Sequence, residues 1–378
     1  MGRVRFSDVV KRVNVFVDRE HTDLLYYVGG EHIDSDAFMV RKNGLIKGAT
    51  IGYKFHFGFQ PGHILFMSRN PHLRKCSMVD FAGVCSDSTY VVETRDENVL
   101  LQRYLLIEMQ SDRFWKWAEE NKSGSVNYLI NYCTLDSYEF DLPPIEEQRA
   151  LAEKLWAAND LKEKYQHLLA ATDEMLKTKF REAVDAAIAQ KSFVRLNDVV
   201  SPGRPICYGI LMPGEEIPNG VPVIKVKDFP DGAINLGGLI HTSKEIDESY
   251  KRSRLLAGDL ILSIRGTVGR VAEVPPELDG ANITQDTARI TVDSRYNAKY
   301  VRGALESAPL QEEMILNMRG VAIKGINIGF LRELAIPMVN RDEQDKLAQI
   351  ATAAEMSKAE LKKSITSIDA VMKGLING

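Results

Sequence analysis

Two stretches of the sequence carry apolar positions that recur in alternating steps of three and four. In the later stretch, Leu347, Ile350, Ala354, Ser357, Leu361, Ser364, Ile368, Val371 and Leu375 succeed one another without a break. That spacing predicts a long helix with a coiled-coil seam. In the earlier stretch the matching positions are Leu151, Lys154, Ala158, Leu161, Tyr165, Leu168, Thr172, Met175 and Lys179, a weaker seam at its ends. Asn340 three residues before Glu343 reads as a capping pair, and Glu146-Glu147 place negative charge where a helix dipole favours it. Ahead of each helix the pattern changes. Short β-rich runs over 62–67, 221–226 and 259–264 are punctuated by Gly, Pro, Asn and Asp, and helical patches over 99–119 and 297–317 precede a last apolar run into Pro143-Pro144 or Pro337. Each half is therefore expected to be an α+β region followed by a long helix.

The halves are copies of one another. V-R-F-S-D-V-V at 4–10 returns as V-R-L-N-D-V-V at 194–200, an offset of 190. An insertion of about six residues within 208–220 moves the offset to 196, and from there it holds. Gly62 falls on Gly258, Arg69 on Arg265, Tyr104 on Tyr300, Ser111 on Ser307, Gly124 on Gly320 and Asn131 on Asn327, while Glu147-Gln148 falls on Glu343-Gln344. The expected organisation is a globular module over 1–145, a spacer helix over 146–190, a second module over 191–341 and a second spacer helix over 342–378. The first helix, at about 1.5 Å per residue, would separate the modules by roughly 60 Å. The second would return along it, giving an antiparallel, pseudo-twofold pair. Two similar modules on a stiff spacer suit a long regular ligand with two half-sites, duplex DNA above all; a duplicated scaffold for two copies of one protein remains open on organisation alone.

Composition narrows this further. The chain has 378 residues, 44% hydrophobic and 26% charged, which suits folded domains and excludes a stapled miniprotein. No apolar run is long enough for a membrane span, and the first residues lack a signal core. Cys76, Cys85, Cys133 and Cys207 form no C-x-x-C pair, pointing to a reducing cytoplasm. With 48 basic and 52 acidic residues the net charge is −4, so bulk polybasic binding is excluded while a basic patch on one face is not.

Catalytic signatures are missing. There is no phosphate-binding G-x-x-x-x-G-K-[ST] loop, no N/D-P-P-aromatic methyltransferase segment, and no metal spacing among the seven histidines. The polar and basic groups near strand ends are more informative. In the second module Lys225, Lys227, Arg265, Thr267 and Arg270 sit close to glycine turns, where backbone N–H groups approach phosphates. Asn282, Thr284 and Gln285 supply amide and hydroxyl groups suited to base edges. The first module offers K-G-A-T-I-G-Y-K at 47–54, with Lys47, Thr50 and Lys54, together with Arg69, Arg74 and Lys75.

The duplicated layout, the helix-start strings L-P-P-I-E-E-Q-R-A-L-A-E-K-L at 142–155 and I-P-M-V-N-R-D-E-Q-D-K-L-A-Q-I at 336–350, and the strand-turn string L-L-A-G-D-L-I-L-S-I-R-G-T-V-G at 255–269 resemble the specificity subunits of type I restriction-modification systems. The resemblance spans the whole chain. It implies two target recognition domains, each reading one half of a bipartite double-stranded DNA site, joined by antiparallel coiled-coil spacer helices. It also implies a cytoplasmic, non-catalytic role, with no cofactor in this chain. Two modification subunits would bring S-adenosylmethionine and methylate adenine, and a restriction subunit would bring ATP and magnesium. Glu147, Gln148, Glu343 and Gln344, at the helix starts, become the expected partner contacts. A stand-alone DNA-binding protein and a duplicated scaffold are the alternatives.

Overall fold

The computed structural model describes residues 2–18, 20–49, 51–125, 128–320 and 324–378. The chain divides into two compact α+β units: Met1–Gln166 with Lys362–Gly378, and His167–Leu361.

In the first unit, strand Gly2–Arg5 pairs antiparallel with Glu139–Leu142, tying the start of the module to its last strand. A four-stranded sheet runs in the order Val10–Arg12, Thr89–Thr94, Ile64–Met67, Cys76–Met78. A five-stranded sheet runs Val15–Phe16, Phe55–Phe59, Gly83–Ser86, Tyr26–Val28, Gly44–Leu45, and its one parallel pairing sets Val28 opposite Cys85. The apolar alternation of these strands buries Ile64, Phe66 and Val92 against helices Gln102–Gln110 and Asp112–Glu120. The helical patch expected over 99–119 is thus two helices. Ser111 divides them, its hydroxyl donating to Glu108 O at 2.7 Å and accepting from Phe114 N at 3.2 Å, which caps the second.

The second unit repeats the plan. Phe193–Arg195 pairs with Ala335–Pro337, and a four-stranded sheet runs Cys207–Tyr208, Thr287–Ile290, Leu260–Ser263, Val271–Glu273. A three-stranded sheet, Ile240–Thr242, Val221–Ile224, Asn282–Ile283, again holds one parallel pairing, Ile224 opposite Ile283. Gly62 and Gly258, matched in the repeat, share a left-handed backbone with φ of 90° and 87°.

The long helices are Ile145–Ala189 and Arg341–Asn377. In each unit the opening part of one lies antiparallel to the closing part of the other. Met372 enters the first core with Leu155 and Trp156, and Leu347 enters the second with Val184. Lys162 pairs with Asp369 at 2.6 Å in the first unit, and Lys358 pairs with Asp173 in the second. Shifted by 196, these are the same pair.

The seam differs from the expectation. Ile350, Val371 and Leu375 are exposed, as are Leu161, Leu168 and Met175. The less exposed line instead runs Leu347, Ala351, Ala354, Lys358, Leu361, Ile365, Ile368, Met372, Ile376, which is 29 residues in eight steps. Up to Met372 these positions still repeat every seven residues, as 347, 354, 361 and 368 and as 351, 358, 365 and 372, so the heptad period holds and the second position of each repeat falls one residue later than expected.

The two glutamines expected to touch partners do something else. Gln148 is fully buried. Its oxygen accepts from Leu101 N at 3.0 Å, and its amide donates to Val99 O at 2.9 Å and Pro143 O at 2.8 Å. Gln344, also buried, accepts from Asn297 N at 2.9 Å and donates to Val339 O at 2.8 Å. Each stitches the helix start to the module before it and has no reach left for another chain. Glu147 and Glu343 are exposed.

Candidate nucleic-acid interface

In the second unit, strand Leu260–Ser263 ends in a turn that re-enters at Val271–Glu273. Gly266 and Gly269 take φ of 72° and 95°, a region that costs other residues strain. Ser263, fully buried, clamps the turn: its hydroxyl donates to Thr267 O at 2.6 Å and accepts from Arg270 N at 2.9 Å. Gln311 holds it from behind through Gly269 O at 2.9 Å, and a Cβ at Gly269 would meet the Gln311 amide oxygen at 2.3 Å. The turn is therefore a rigid platform. Arg265, about half exposed, rises from it with one guanidinium nitrogen 2.9 Å from Gln285 Oε1 and 4.0 Å from the Asp286 carboxylate.

The facing wall leaves the parallel strand pair. After Ile224 the chain makes a short turn in which Lys225 N donates to Asp228 Oδ2 at 2.8 Å, presenting Lys225 and Lys227. Between the walls lies a cleft of about 520 Å³ lined by Lys225, Lys227, His241, Thr284, Gln285 and Asp286 among others, adjoining a hollow of about 380 Å³ at Arg265, Thr267 and Arg270. The two share Val226, Lys227 and Asp286. Seven of the eight residues expected here thus come together: Lys225, Lys227, Arg265, Thr267, Arg270, Thr284 and Gln285. Asn282 does not. It is fully buried, accepting from Ser253 Oγ at 2.7 Å and donating to Asp247 Oδ1 at 2.8 Å, so its amide is spent inside the unit and cannot read a base.

Three groups escaped the sequence reading: Asp286, His241 and Glu216. His241 Nδ1 lies 2.9 Å from Glu216 Oε1 and its backbone N–H donates to the same carboxylate at 3.1 Å. These bonds hold the Glu216 carboxyl below the usual carboxylate range. A cleft of four cations interleaved with carboxylate and amide oxygens can engage phosphates and still discriminate base edges.

The first unit is less cationic than expected. Arg74 is engaged with the carboxylates of Asp36 at 2.7 Å and Asp112 at 2.6 Å and with Gln110 O at 3.0 Å, and Lys75 Nζ donates to Gly30 O at 2.5 Å. Arg74 is thus held between two carboxylates, while Lys75 spends one of its three ammonium donors on Gly30 O. Lys54 lies 3.5 Å from Asp87, Lys47 and Arg69 are exposed, and Thr50 lies outside the described residues. Among the described residues no group of three or more His, Cys, Asp or Glu side chains is placed to hold a metal ion, and no helix is long and apolar enough to cross a membrane.

No family model matches the chain. Its sequence is similar to the type I restriction enzyme EcoBI specificity subunit of Escherichia coli, 25% identical over 338 residues that cover 78% of this chain and 71% of that one. The sequence is thus similar to that of a type I specificity subunit over more than two thirds of both chains. A second such subunit, that of type I restriction enzyme EcoDI from the same organism, is 29% identical over 109 residues, 28% of this chain and 24% of the other. The fold is shared with the crystallised S subunit of a type I restriction-modification system from M. genitalium, at a TM-score of 0.64 and 14% identity over 99% of this chain and 94% of that one. It is shared too with a chain from a structure describing assembly of a type I R-M system, TM-score 0.54 and 18% identity over 99% and 96%. Both solved folds therefore match this chain across nearly its whole length.

Proposed function

We propose that this specificity-subunit homologue selects the DNA sequence on which a type I modification complex acts, and that it does so without chemistry of its own. Each unit reads one half of a bipartite double-stranded site. The long helices set the gap between the halves, and two modification subunits dock on the chain, with the exposed Glu147 and Glu343 among the contacts. S-adenosylmethionine and the adenine-methylating groups belong to those subunits, and ATP and magnesium to a restriction subunit where one accompanies them.

The observation that carries this reading is the cleft of the second unit, where Lys225, Lys227, Arg265 and Arg270 converge with Gln285 and Asp286 on a turn fixed by Ser263 and Gln311. Lysine and arginine side chains there would neutralise phosphates, and arginine or glutamine would address purine edges. The test is genome-wide mapping of methylated adenine in cells that express the cognate modification subunit with and without this chain. A split motif with a fixed unspecified gap, present only with the chain, is expected. A soluble complex that leaves no such motif refutes the assignment.

A further inference from the structure

We propose that the two units read chemically opposite base edges, the second through hydrogen-bond donors and the first through acceptors, with Glu31 as the residue that sets the difference. The inference rests on the DNA-reading role proposed above.

It starts from a match between the units that is closer than their sequences suggest. After the parallel pairing of Val28 with Cys85, Gly29 N donates to His32 Nδ1 at 2.9 Å. After the parallel pairing of Ile224 with Ile283, Lys225 N donates to Asp228 Oδ2 at 2.8 Å. The two turns are the same device at the repeat offset of 196, so Gly29 stands where Lys225 stands and Glu31 where Lys227 stands. On the facing wall, Ser68 N donates to Ser88 O at 2.8 Å as Ile264 N donates to Asp286 O at 2.8 Å. Arg69 therefore occupies the place of Arg265, and Asn70, at φ of 52°, the place of Gly266. Beyond Asn70 the first turn is one residue longer: Met67 N donates to Lys75 O where Ser263 N donates to Arg270 O, so Lys75 replaces Arg270.

Of the four cations in the second cleft, only the equivalent of Arg265 thus survives as an exposed cation in the first. Lys225 becomes a glycine, Lys227 a glutamate, and the replacement of Arg270 is turned onto Gly30 O. The acceptors that remain are the Glu31 carboxylate, two-thirds exposed, and Ser88 on the opposite wall, where the neighbouring Asp87 pairs with Lys54 at 3.5 Å. Gly29 is what admits the carboxylate: a Cβ there would lie 2.6 Å from both Glu31 oxygens. An exposed carboxylate on a fixed turn accepts from the amino group of cytosine N4 or adenine N6, whereas lysine and arginine donate to guanine O6 and N7. Glu31 is accordingly the specificity-determining group of the first half-site, and Lys227 its counterpart in the second.

The experiment exchanges the two. The full chain, with Glu31→Lys or with Lys227→Glu, is co-expressed with its modification subunit and the methylated-adenine motif is mapped, in parallel with selection from a random duplex library by each purified complex. Glu31→Lys is expected to change the preferred base at one position of one half-site by about tenfold or more, and Lys227→Glu to do so only in the other half. Glu31→Gln, which keeps one acceptor and adds a donor, is expected to move the same position toward adenine, and it decides the matter if the lysine variant does not fold. A split motif that persists unchanged in both variants overturns the assignment of Glu31 while leaving the specificity role standing. Absence of a split motif with the unaltered chain overturns both.

Discussion

Replacing Gln148 by alanine separates a structural role for the helix-start glutamine from a partner-binding one. The side chain is fully buried and closes three hydrogen bonds, with Leu101 N, Val99 O and Pro143 O. Truncation leaves one backbone donor and two acceptors, all part-buried, without their side-chain partner, at about 1 kcal/mol or more apiece, so about 3 to 4 kcal/mol in all. The chain supplies its own reporter. Its three tryptophans, Trp115, Trp117 and Trp156, all lie in the first unit, so intrinsic fluorescence during urea unfolding follows that unit alone. With a urea slope of about 2 kcal/mol per molar, the fluorescence midpoint is expected to fall by about 1.5 to 2 M. Gln344→Ala is the internal control: it removes the matching bonds in the second unit, so circular dichroism should report a loss while the fluorescence midpoint holds. A Gln148→Ala midpoint within about 0.3 M of the unaltered chain, combined with loss of modification-subunit binding, would refute the structural reading and return Gln148 to the partner surface.

Removing Arg265 and Arg270 together should weaken duplex binding across sequences and lower the slope of log affinity against log salt by about 2, as measured by fluorescence anisotropy over a salt series; an unchanged slope removes both from the interface. Asn282→Ala strips a buried amide from Asp247 and Ser253, so calorimetry should show destabilisation of the second unit by roughly 2 to 4 kcal/mol with the recognised motif intact, and an altered motif at full stability would contradict its placement. His63, mostly buried, accepts from Gln60 N through Nδ1 at 3.0 Å, and burial, set against the pull of Glu93, holds its pKa below the ordinary histidine value. Its stabilising effect is therefore fully present above about pH 6.5 and is lost as pH falls through the lower folded value; the fluorescence midpoint should drop with acid over that window, and His63→Gln should flatten the drop.

What the sequence revealed and what it hid follow from the same cause. Identities at offset 196 mark positions where backbone geometry or buried hydrogen bonding leaves little choice. Gly62 and Gly258 need a left-handed backbone, Gly124 and Gly320 likewise at φ of 100° and 121°, and Asn327 caps its helix by accepting from Phe330 N at 2.7 Å. Such residues announce the fold. No identity flags Glu31 against Lys227, although the offset already aligned them. Charge type alone says nothing of partners: Arg74, Lys75 and Asn282 look alike as nucleic-acid contacts in a string of letters, and the structure shows Arg74 paired with Asp112, Lys75 bonded to Gly30 O and Asn282 buried against Asp247. The heptad period of the later helix was legible, but the side on which its second position falls was not, because 350, 357, 364 and 371 keep the same period as 351, 358, 365 and 372.

Sharing of the long helices imposes a timetable on synthesis. The core of the first unit takes in Met372 and Ile376, translated some 200 residues after Gln166. At about 5 to 20 residues per second the ribosome needs about 10 to 40 s to deliver them. Through that interval Leu155 and Trp156 lack Met372, although the rest of their cluster, Phe38 included, is already made. The second unit, closed by residues before 362, is finished sooner, so the usual order in which the earlier domain matures first is inverted. A nascent chain of this kind depends on protection of an open apolar surface for most of its own translation, and a stop codon placed between 361 and 372 should spoil the unit made first while sparing the one made last.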